Sequence, residues 1–170
     1  MGLAGRILLL TLILDQATKY AVVHGMNLAQ RLAIDVFPPY LNFRMAWNRG
    51  VNFGLFASDA EVMRWVLIAL ALVVSGWVWL WARSDVRAAG GGRPLVQVSA
   101  GLLVGGALGN VVDRLIYGAV ADFINMSCCG INNPYAFNIA DAAIFLGAVG
   151  LVFFSGPGRS GGGTRSNKTP

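Results

Sequence analysis

Residues 65–82 read WVLIALALVVSGWVWLWA and contain no charged side chain. Residues 94–112 read PLVQVSAGLLVGGALGNVV and are also uncharged. The hydrocarbon core of a bilayer is about 30 Å thick and is crossed by about 20 residues of apolar α-helix. These two stretches therefore predict transmembrane helices near residues 62–82 and 94–114.

The composition of the whole chain agrees with a membrane protein. Of its 170 residues, 56% are hydrophobic and only 12% are charged, which is too apolar for an ordinary water-soluble domain. Further apolar stretches near residues 5–24 and 136–156 complete the prediction of an all-α membrane protein with four transmembrane helices. We expect residues 1–157 to form this domain and residues 158–170 to form a flexible cytoplasmic tail, because the tail is rich in Gly, Ser, Thr, Arg and Lys.

The positive charges predict the orientation of the four spans. Four spans bring both termini to one side, and by the positive-inside rule the side rich in Arg and Lys is cytoplasmic. The residues on that side are Arg6, Arg83, Arg87, Arg93, Arg159, Arg165 and Lys168. The outer side then carries two loops, near residues 25–61 and 115–135. We expect the functional site on this outer side.

The first outer loop has the periodicity of a β-strand. Leu41, Phe43, Met45 and Trp47 alternate with more polar residues. This pattern predicts a small extracytoplasmic β-cradle, built from the first outer loop and lying at the membrane surface.

Several function classes do not fit the composition. The net charge is +5, but the 13 Lys and Arg residues form no basic stripe with interleaved aromatic residues, so we expect no nucleic-acid partner. The single histidine, His24, and the adjacent Cys128 and Cys129 do not make a zinc ligand set. We expect neither a metal site nor a cofactor.

Polar side chains cluster at the predicted outer ends of spans three and four. An ionisable group inside a membrane span costs about 2.5–3.5 kcal/mol on insertion scales, so each such group is a functional hypothesis. The cluster consists of Asn110, Asp113, Arg114, Asp122, Asn138 and Asp141. Asp141 is expected about five residues into span four. The segment around Asp122 has no clear helical pattern, but it belongs to the same outer rim, so the two carboxyls can meet.

Two adjacent carboxyls have a defined chemistry. Like charges within hydrogen-bonding range cannot both ionise, so the pair shares one proton. The ionised member can take a proton from a water that attacks a carbonyl, while the protonated member donates to the carbonyl oxygen. From local spacing alone, a structural role for Asp141 is equally open, because Asn138 and Asp141 have the spacing of a capping box.

The other charged residues have structural alternatives. Asp113 and Arg114 could form an interfacial ion pair or contact lipid headgroups. Asp15 and Lys19, spaced i and i+4, predict a structural pair that lets span one carry both charges.

Span three also contains small residues at regular spacing. Gly101, Gly105 and Gly109 recur every four residues, which is typical of helices that pack closely against each other. This stripe indicates packing rather than chemistry.

Four sequence blocks resemble those of the bacterial lipoprotein signal peptidases, the type II signal peptidases. They are DQATK (15–19), NRGVNFG (48–54), GNVVDR (109–114) with the following Gly118, Val120, Asp122 and Phe123, and FNIAD (137–141). The resemblance covers about residues 15–146. It implies an intramembrane aspartyl endopeptidase of the bacterial cytoplasmic (inner) membrane. Such an enzyme removes the signal peptide from a prolipoprotein by cutting just before a diacylglyceryl-modified cysteine, and it binds the inhibitor globomycin.

The resemblance also implies roles for individual residues. Asp122 and Asp141 match the catalytic pair, which favours catalysis over the capping role of Asp141. The positions that match substrate-binding or supporting residues are Asn48, Gly50, Gly54, Asn110, Arg114, Val120 and Asn138. Asp113 matches a further polar position, whose role we interpret as structural, like that of Asp15 and Lys19. Asn52 departs from the family pattern, which usually has a small apolar residue there.

Two other functions remain open from the residues alone. A small four-span proton-coupled transporter would use the two aspartates to bind a cation or proton, but it predicts polar groups near the middle of the membrane. A structural subunit would use the glycine stripe to bind partner helices, but it leaves both aspartates unexplained.

Overall fold

The computed structural model describes residues 2–50, 60–90, 93–130 and 133–155. Gly54, Asn52 and the predicted tail at residues 158–170 lie outside these described residues. The predicted boundary of the membrane domain at residue 157 lies outside them as well.

Most of the described chain is helical. Helix α1 (Leu3–Lys19) continues into a π-helical turn (Tyr20–Gly25), and a single turn, α2 (Leu28–Arg31), follows it. The remaining helices are α3 (Ala60–Ala88), α4 (Pro94–Tyr117) and α5 (Ile139–Phe154).

Three helical segments are long and apolar enough to cross a membrane: Leu3–Gly25, Glu61–Ala88 and Pro94–Tyr117. These three candidate spans coincide with the first three predicted ones. The fourth apolar helix, α5, has 16 residues, so its length of about 24 Å is less than the hydrocarbon thickness. A fourth crossing therefore stays a prediction.

Local sequence explains where α4 and α5 begin and end. Pro94 occupies the first turn of α4, where its missing N–H leaves no hydrogen bond unmade. Gly118 ends α4 in the left-handed conformation, at φ +74°, which glycine adopts without steric cost. Asn138 and Asp141 form a capping box at the start of α5, as their spacing predicts. Asp141 is thus the third residue of its helix, closer to the helix end than the expected five residues.

A three-stranded antiparallel sheet lies near the end of α4 and the beginning of α5. Its strand order is β1 (Ala33–Phe37), β2 (Leu41–Asn48) and β3 (Val120–Asn125). Strand β2 confirms the strand predicted from the alternating residues. Strands β1 and β2 come from the first outer loop, as predicted, and the third strand, β3, comes from the segment after α4. Five of the six residues of β3 are buried, so the strand shows no alternation of apolar and polar residues that local periodicity could indicate. Its regular structure comes from pairing with β2.

Helix α4 is the centre of the bundle, and glycines bring its neighbours close. A Cβ on Gly101 would lie 2.7 Å from the carbonyl oxygen of Ala4, and one on Gly105 would lie 2.7 Å from that of Leu8. Both oxygens belong to α1, so the glycine stripe packs α4 against α1, as predicted. On the facing helix α5, a Cβ on Gly147 would lie 2.6 Å from the backbone nitrogen of Leu103.

Candidate active site

The two predicted catalytic aspartates meet through one buried asparagine. Asp122 lies on β3 and is 3% exposed, while Asp141 lies in the first turn of α5. Asn138, fully buried, donates from Nδ2 to Asp122 Oδ1 over 2.7 Å, and its backbone N–H donates to Asp141 Oδ2 over 3.2 Å. The capping residue of α5 therefore binds both carboxyls at once.

A second asparagine holds the other oxygen of Asp141. Asn110, one turn before the end of the buried part of α4, donates from Nδ2 to Asp141 Oδ1 over 2.8 Å. Its own Oδ1 accepts from Asn138 Nδ2 over 3.3 Å. Both oxygens of Asp141 are thus bound by N–H donors, which fixes the rotation of the carboxyl group.

The third asparagine comes from the sheet. Asn48, the last residue of β2, donates from Nδ2 to Asp122 Oδ2 over 3.0 Å, and its Oδ1 accepts from the Gly50 N–H over 3.0 Å. Gly50 has φ +102°, and a Cβ there would lie 2.5 Å from a Leu67 methyl group, so only glycine fits this turn. Val120, paired with Asn48 across β2 and β3, is buried behind the site.

Burial and charge together change the acidity of Asp122. Burial and, to a lesser extent, the neighbouring Asp141 carboxyl raise the pKa of Asp122 to about 6. Hydrogen bonds from Asn48 and Asn138 act in the opposite direction, because they stabilise the ionised form. The resulting pKa is near neutrality, where a carboxyl can both hold and release a proton.

A buried ionic cluster lies beneath the carboxyl pair. Lys19 Nζ is 2.8 Å from Asp15 Oδ2 and 2.8 Å from Asp113 Oδ2, and it donates to Asn110 Oδ1 over 3.2 Å. All three charged side chains are at most 6% exposed. The predicted pair of Asp15 with Lys19 is confirmed. Asp113 pairs with Lys19 of α1, rather than with Arg114 or a lipid headgroup, because its side chain faces the helix interface.

Each carboxylate of this cluster also accepts a hydrogen bond from the main chain beside one of the two predicted catalytic aspartates. The Ala140 N–H donates to Asp15 Oδ1 over 3.0 Å, one residue before Asp141. The Ala121 N–H donates to Asp113 Oδ2 over 3.1 Å, one residue before Asp122. The ionic cluster thus fixes the backbone on which both carboxyls sit.

Gln16 completes the cluster, although it was not among the predicted site residues. Its Nε2 lies within 3.2 Å of Asp15 Oδ2, Asp113 Oδ1 and the Gly109 carbonyl oxygen. A polar residue between two charged ones in an apolar span was the signal that could have identified it.

Arg114 is half-buried at the end of α4. Its Nη1 donates to the Asn110 carbonyl oxygen over 3.3 Å, and its charge acts on Asp141, Asp113 and Asp122. Among the predicted site residues that the structure describes, the side chains that donate hydrogen bonds to Asp122 or Asp141 are those of Asn48, Asn110 and Asn138, and that of Arg114 is not one of them.

The arrangement suits acid–base chemistry. The hydrogen-bond acceptors of the site are the carboxyls of Asp122 and Asp141. The groups that donate hydrogen bonds to them are asparagine side chains and one backbone N–H. Within the residues that the structure describes, no three His, Cys, Asp or Glu side chains are grouped so as to hold a metal ion. Cys128 and Cys129 are both exposed free thiols in the loop after β3.

Comparison with known proteins identifies the family. The family described as Signal peptidase (SPase) II matches residues 7–155. The chain is 45% identical over 152 residues to a lipoprotein signal peptidase of Methylobacterium radiotolerans, covering 87% of this chain and 82% of the relative. It is also 36% identical over 151 residues to a lipoprotein signal peptidase of Rhodopseudomonas palustris, covering 86% and 87% of the two chains.

Solved structures agree with this family. A bacterial membrane enzyme solved by the in meso method at 1.9 Å resolution superposes with a TM-score of 0.73 at 26% identity, covering 88% of this chain and 90% of the other. A second, solved by the same method at 2.3 Å, gives a TM-score of 0.70 at 27% identity, with coverages of 88% and 85%. The transporter and subunit alternatives are thereby set aside. The chain belongs to the signal peptidase II family and is a bacterial membrane peptidase of lipoprotein processing.

Proposed function

We propose that the chain is an aspartic endopeptidase in which Asp122 and Asp141 activate water to remove the signal peptide from a diacylglyceryl-modified prolipoprotein. The bond cut is the one before the lipidated cysteine. The observation that carries this proposal is the bridge from Asn138 to both carboxyls, which brings the two acids into one hydrogen-bonded unit. The raised pKa of Asp122, about 6, supports a shared proton.

The two carboxyls differ in surroundings, and this difference supports an assignment of their roles. We assign the proton to Asp122, because burial and the Asp141 charge both raise its pKa. Asp141 lies at the N-terminus of α5, where the helix dipole favours negative charge. Asp141 is therefore the base and Asp122 the acid.

The reaction then runs in two balanced steps. Asp141 takes one proton from water as the water oxygen bonds to the scissile carbonyl carbon, and Asp122 gives its proton to the carbonyl oxygen. In the second step the carbon–nitrogen bond breaks. The leaving amine of the cysteine takes the proton from Asp141, and a hydroxyl of the tetrahedral intermediate returns a proton to Asp122. The pair ends in its starting state.

The remaining predicted residues support this pair. N–H groups of Asn48, Asn110 and Asn138 donate hydrogen bonds to the four carboxyl oxygens of the pair. Each asparagine also has a side-chain oxygen or a second side-chain N–H that can bind other partners. Arg114 supplies a positive charge beside the negative pair. Asp15, Lys19 and Asp113 are structural: they fix the backbone next to each aspartate and do not touch the reacting atoms.

Placement at the outer leaflet fits the substrate. A diacylglyceryl cysteine is held at the membrane surface by its acyl chains, each buried methylene contributing about 0.8 kcal/mol. The signal peptide then lies in the bilayer beside the helices, with both termini of the enzyme cytoplasmic and α5 as a fourth span. Globomycin, as an inhibitor of this family, would occupy the same cleft.

A gel-shift assay tests the proposal. Purified protein in detergent is given a diacylglyceryl-modified prolipoprotein, with and without globomycin, and the unlipidated precursor serves as control. We expect cleavage of the lipidated form alone, blocked by globomycin and unaffected by EDTA. Cleavage of both forms at equal rates would contradict the lipid requirement, and loss of activity with EDTA that zinc restores would contradict the aspartic mechanism.

A further inference from the structure

A cavity lies at the end of the helices remote from the active site. It has a volume of about 500 Å³, within the range of about 300–1,000 Å³ typical of ligand sites. Helices α1 and α3 both pack on α4 and leave this space between them. Its walls are mainly apolar, formed by Leu8, Leu9, Trp79, Ala82 and Val86.

The mouth of the cavity is positively charged. Arg83 and Arg87 line it and are exposed, and because they are four residues apart on α3 they lie on one helix face. The nearest acid in sequence, Asp85, is already neutralised, since Arg93 Nη1 lies 2.6 Å and 2.7 Å from its two oxygens. In the ranges that the structure describes, neither Arg83 nor Arg87 forms an ion pair.

The cavity is an apolar slot between membrane helices with two arginines at its mouth, and these features match an anionic lipid. Basic pockets between transmembrane helices bind anionic lipid headgroups, and their apolar walls accept acyl chain. We propose that this cavity binds an anionic phospholipid, with an acyl chain between α1 and α3 and the phosphate between Arg83 and Arg87. A zwitterionic lipid carries its own cation and would gain less from the two arginines.

The site has a structural consequence for the bundle. A lipid seated there fills the space between α1 and α3, which otherwise meet mainly through α4. It therefore stabilises the folded bundle by mass action, since the separated helices offer no such slot.

The test measures thermal unfolding of the full chain in detergent after delipidation. Phosphatidylglycerol, phosphatidylcholine and inorganic phosphate are added separately at one concentration. We expect phosphatidylglycerol to raise Tm by about 2–4 °C, the size expected for modest ligand binding, and the other two to leave Tm unchanged. An equal rise with phosphatidylcholine would overturn the proposed charge recognition, and an equal rise with phosphate would overturn a lipid site.

Matched variants assign any effect to this cavity. The double variant R83Q/R87Q is expected to lose the rise in Tm, whereas R6Q, which removes an exposed arginine outside the cavity lining, is expected to keep it. Native mass spectrometry provides a second readout: bound phosphatidylglycerol should fall at least severalfold in the double variant and persist in R83K/R87K, which keeps both charges. Undiminished binding in R83Q/R87Q, or equal loss in R6Q, would overturn the proposal.

Discussion

The Ala140 N–H donates to Asp15 Oδ1 over 3.0 Å, so a carboxylate in the first membrane helix binds the first turn of the helix that carries Asp141. This contact joins residues 125 positions apart. Asp15 is fully buried, and its second oxygen pairs with Lys19. The geometry of the proposed catalytic pair therefore depends on ionic contacts outside it.

Replacing either proposed catalytic carboxyl tests the mechanism directly. We expect D122N and D141N each to abolish cleavage, because neither variant can share a proton between two carboxyls. Both should fold, since the side-chain oxygen of an asparagine still accepts a hydrogen bond at either position. D35N, at an exposed carboxyl that pairs with Arg44, is the matched control and should retain full activity. Robust turnover by either D122N or D141N would remove the pair from the mechanism.

The pKa of Asp122 predicts the pH dependence of cleavage. The proposed active form carries one proton on the pair, so raising the pH through about 6 removes that proton and lowers kcat/KM. Well above this pH, kcat/KM should fall about tenfold per pH unit. A rate that climbs from pH 6 to 8 would contradict the assignment of the proton.

Replacing Asn48 should shift the pH at which kcat/KM begins to fall. Its hydrogen bond stabilises ionised Asp122 and so lowers the pKa of that carboxyl. N48A removes the bond, the pKa of Asp122 rises, and the falling limb should move to higher pH. Q30A, at an exposed amide on α2, is the control and should leave the limb in place. A limb that does not move in N48A, measured as kcat/KM against pH, would contradict the role given to Asn48.

Removing Lys19 should destabilise the bundle. K19M leaves two buried carboxylates, Asp15 and Asp113, without the cation between them, and breaking a buried ion pair in this way costs about 3–5 kcal/mol. Tm in detergent should fall by on the order of 10 °C. R31M, at an exposed position on α2, should change Tm little. A K19M protein as stable as the unmodified chain would show that the cluster is not a structural centre.

Close helix packing predicts the effect of a larger side chain on α4. In G105L the new Cβ would meet the Leu8 carbonyl oxygen and the Thr11 side chain, so α1 must move away. Such overpacking costs about 1–3 kcal/mol or more, and Tm should fall. G76L is the matched control, because nothing lies within 4 Å of a Cβ at that position of α3. Equal Tm values for the two variants would contradict the packing described.

Composition and short-range pattern are sufficient to predict several elements of the fold. The uncharged runs predict α3 and α4, because a polar residue in lipid is costly and its absence over many consecutive positions is visible in the sequence. Alternation predicts β2, and the spacing of Asn138 and Asp141 predicts the cap of α5. These features depend on neighbours a few residues away.

Long-range contacts cannot be predicted from the local sequence pattern. Strand β3 forms because β2 supplies its hydrogen-bond partners from more than 70 residues away. Likewise, nothing near Asp113 in sequence indicates that its cation is Lys19 rather than the adjacent Arg114. The sequence indicates that Asn138 is a helix cap and a site residue, but it does not indicate that Asn138 binds Asp122. That contact forms only because the fold brings β3 next to the start of α5.

The contact between Asp15 and Ala140 also bears on biosynthesis. The first helix leaves the ribosome long before α5 does, so the nascent chain contains Asp15, Lys19 and Asp113 while the backbone partner on α5 is still missing. A chain interrupted before residue 138 lacks both the bridging amide and the second acid. Under the proposed mechanism, proteolytic competence is therefore withheld until the last helix has been made and docked, so an incompletely inserted chain does not act on the membrane proteins around it.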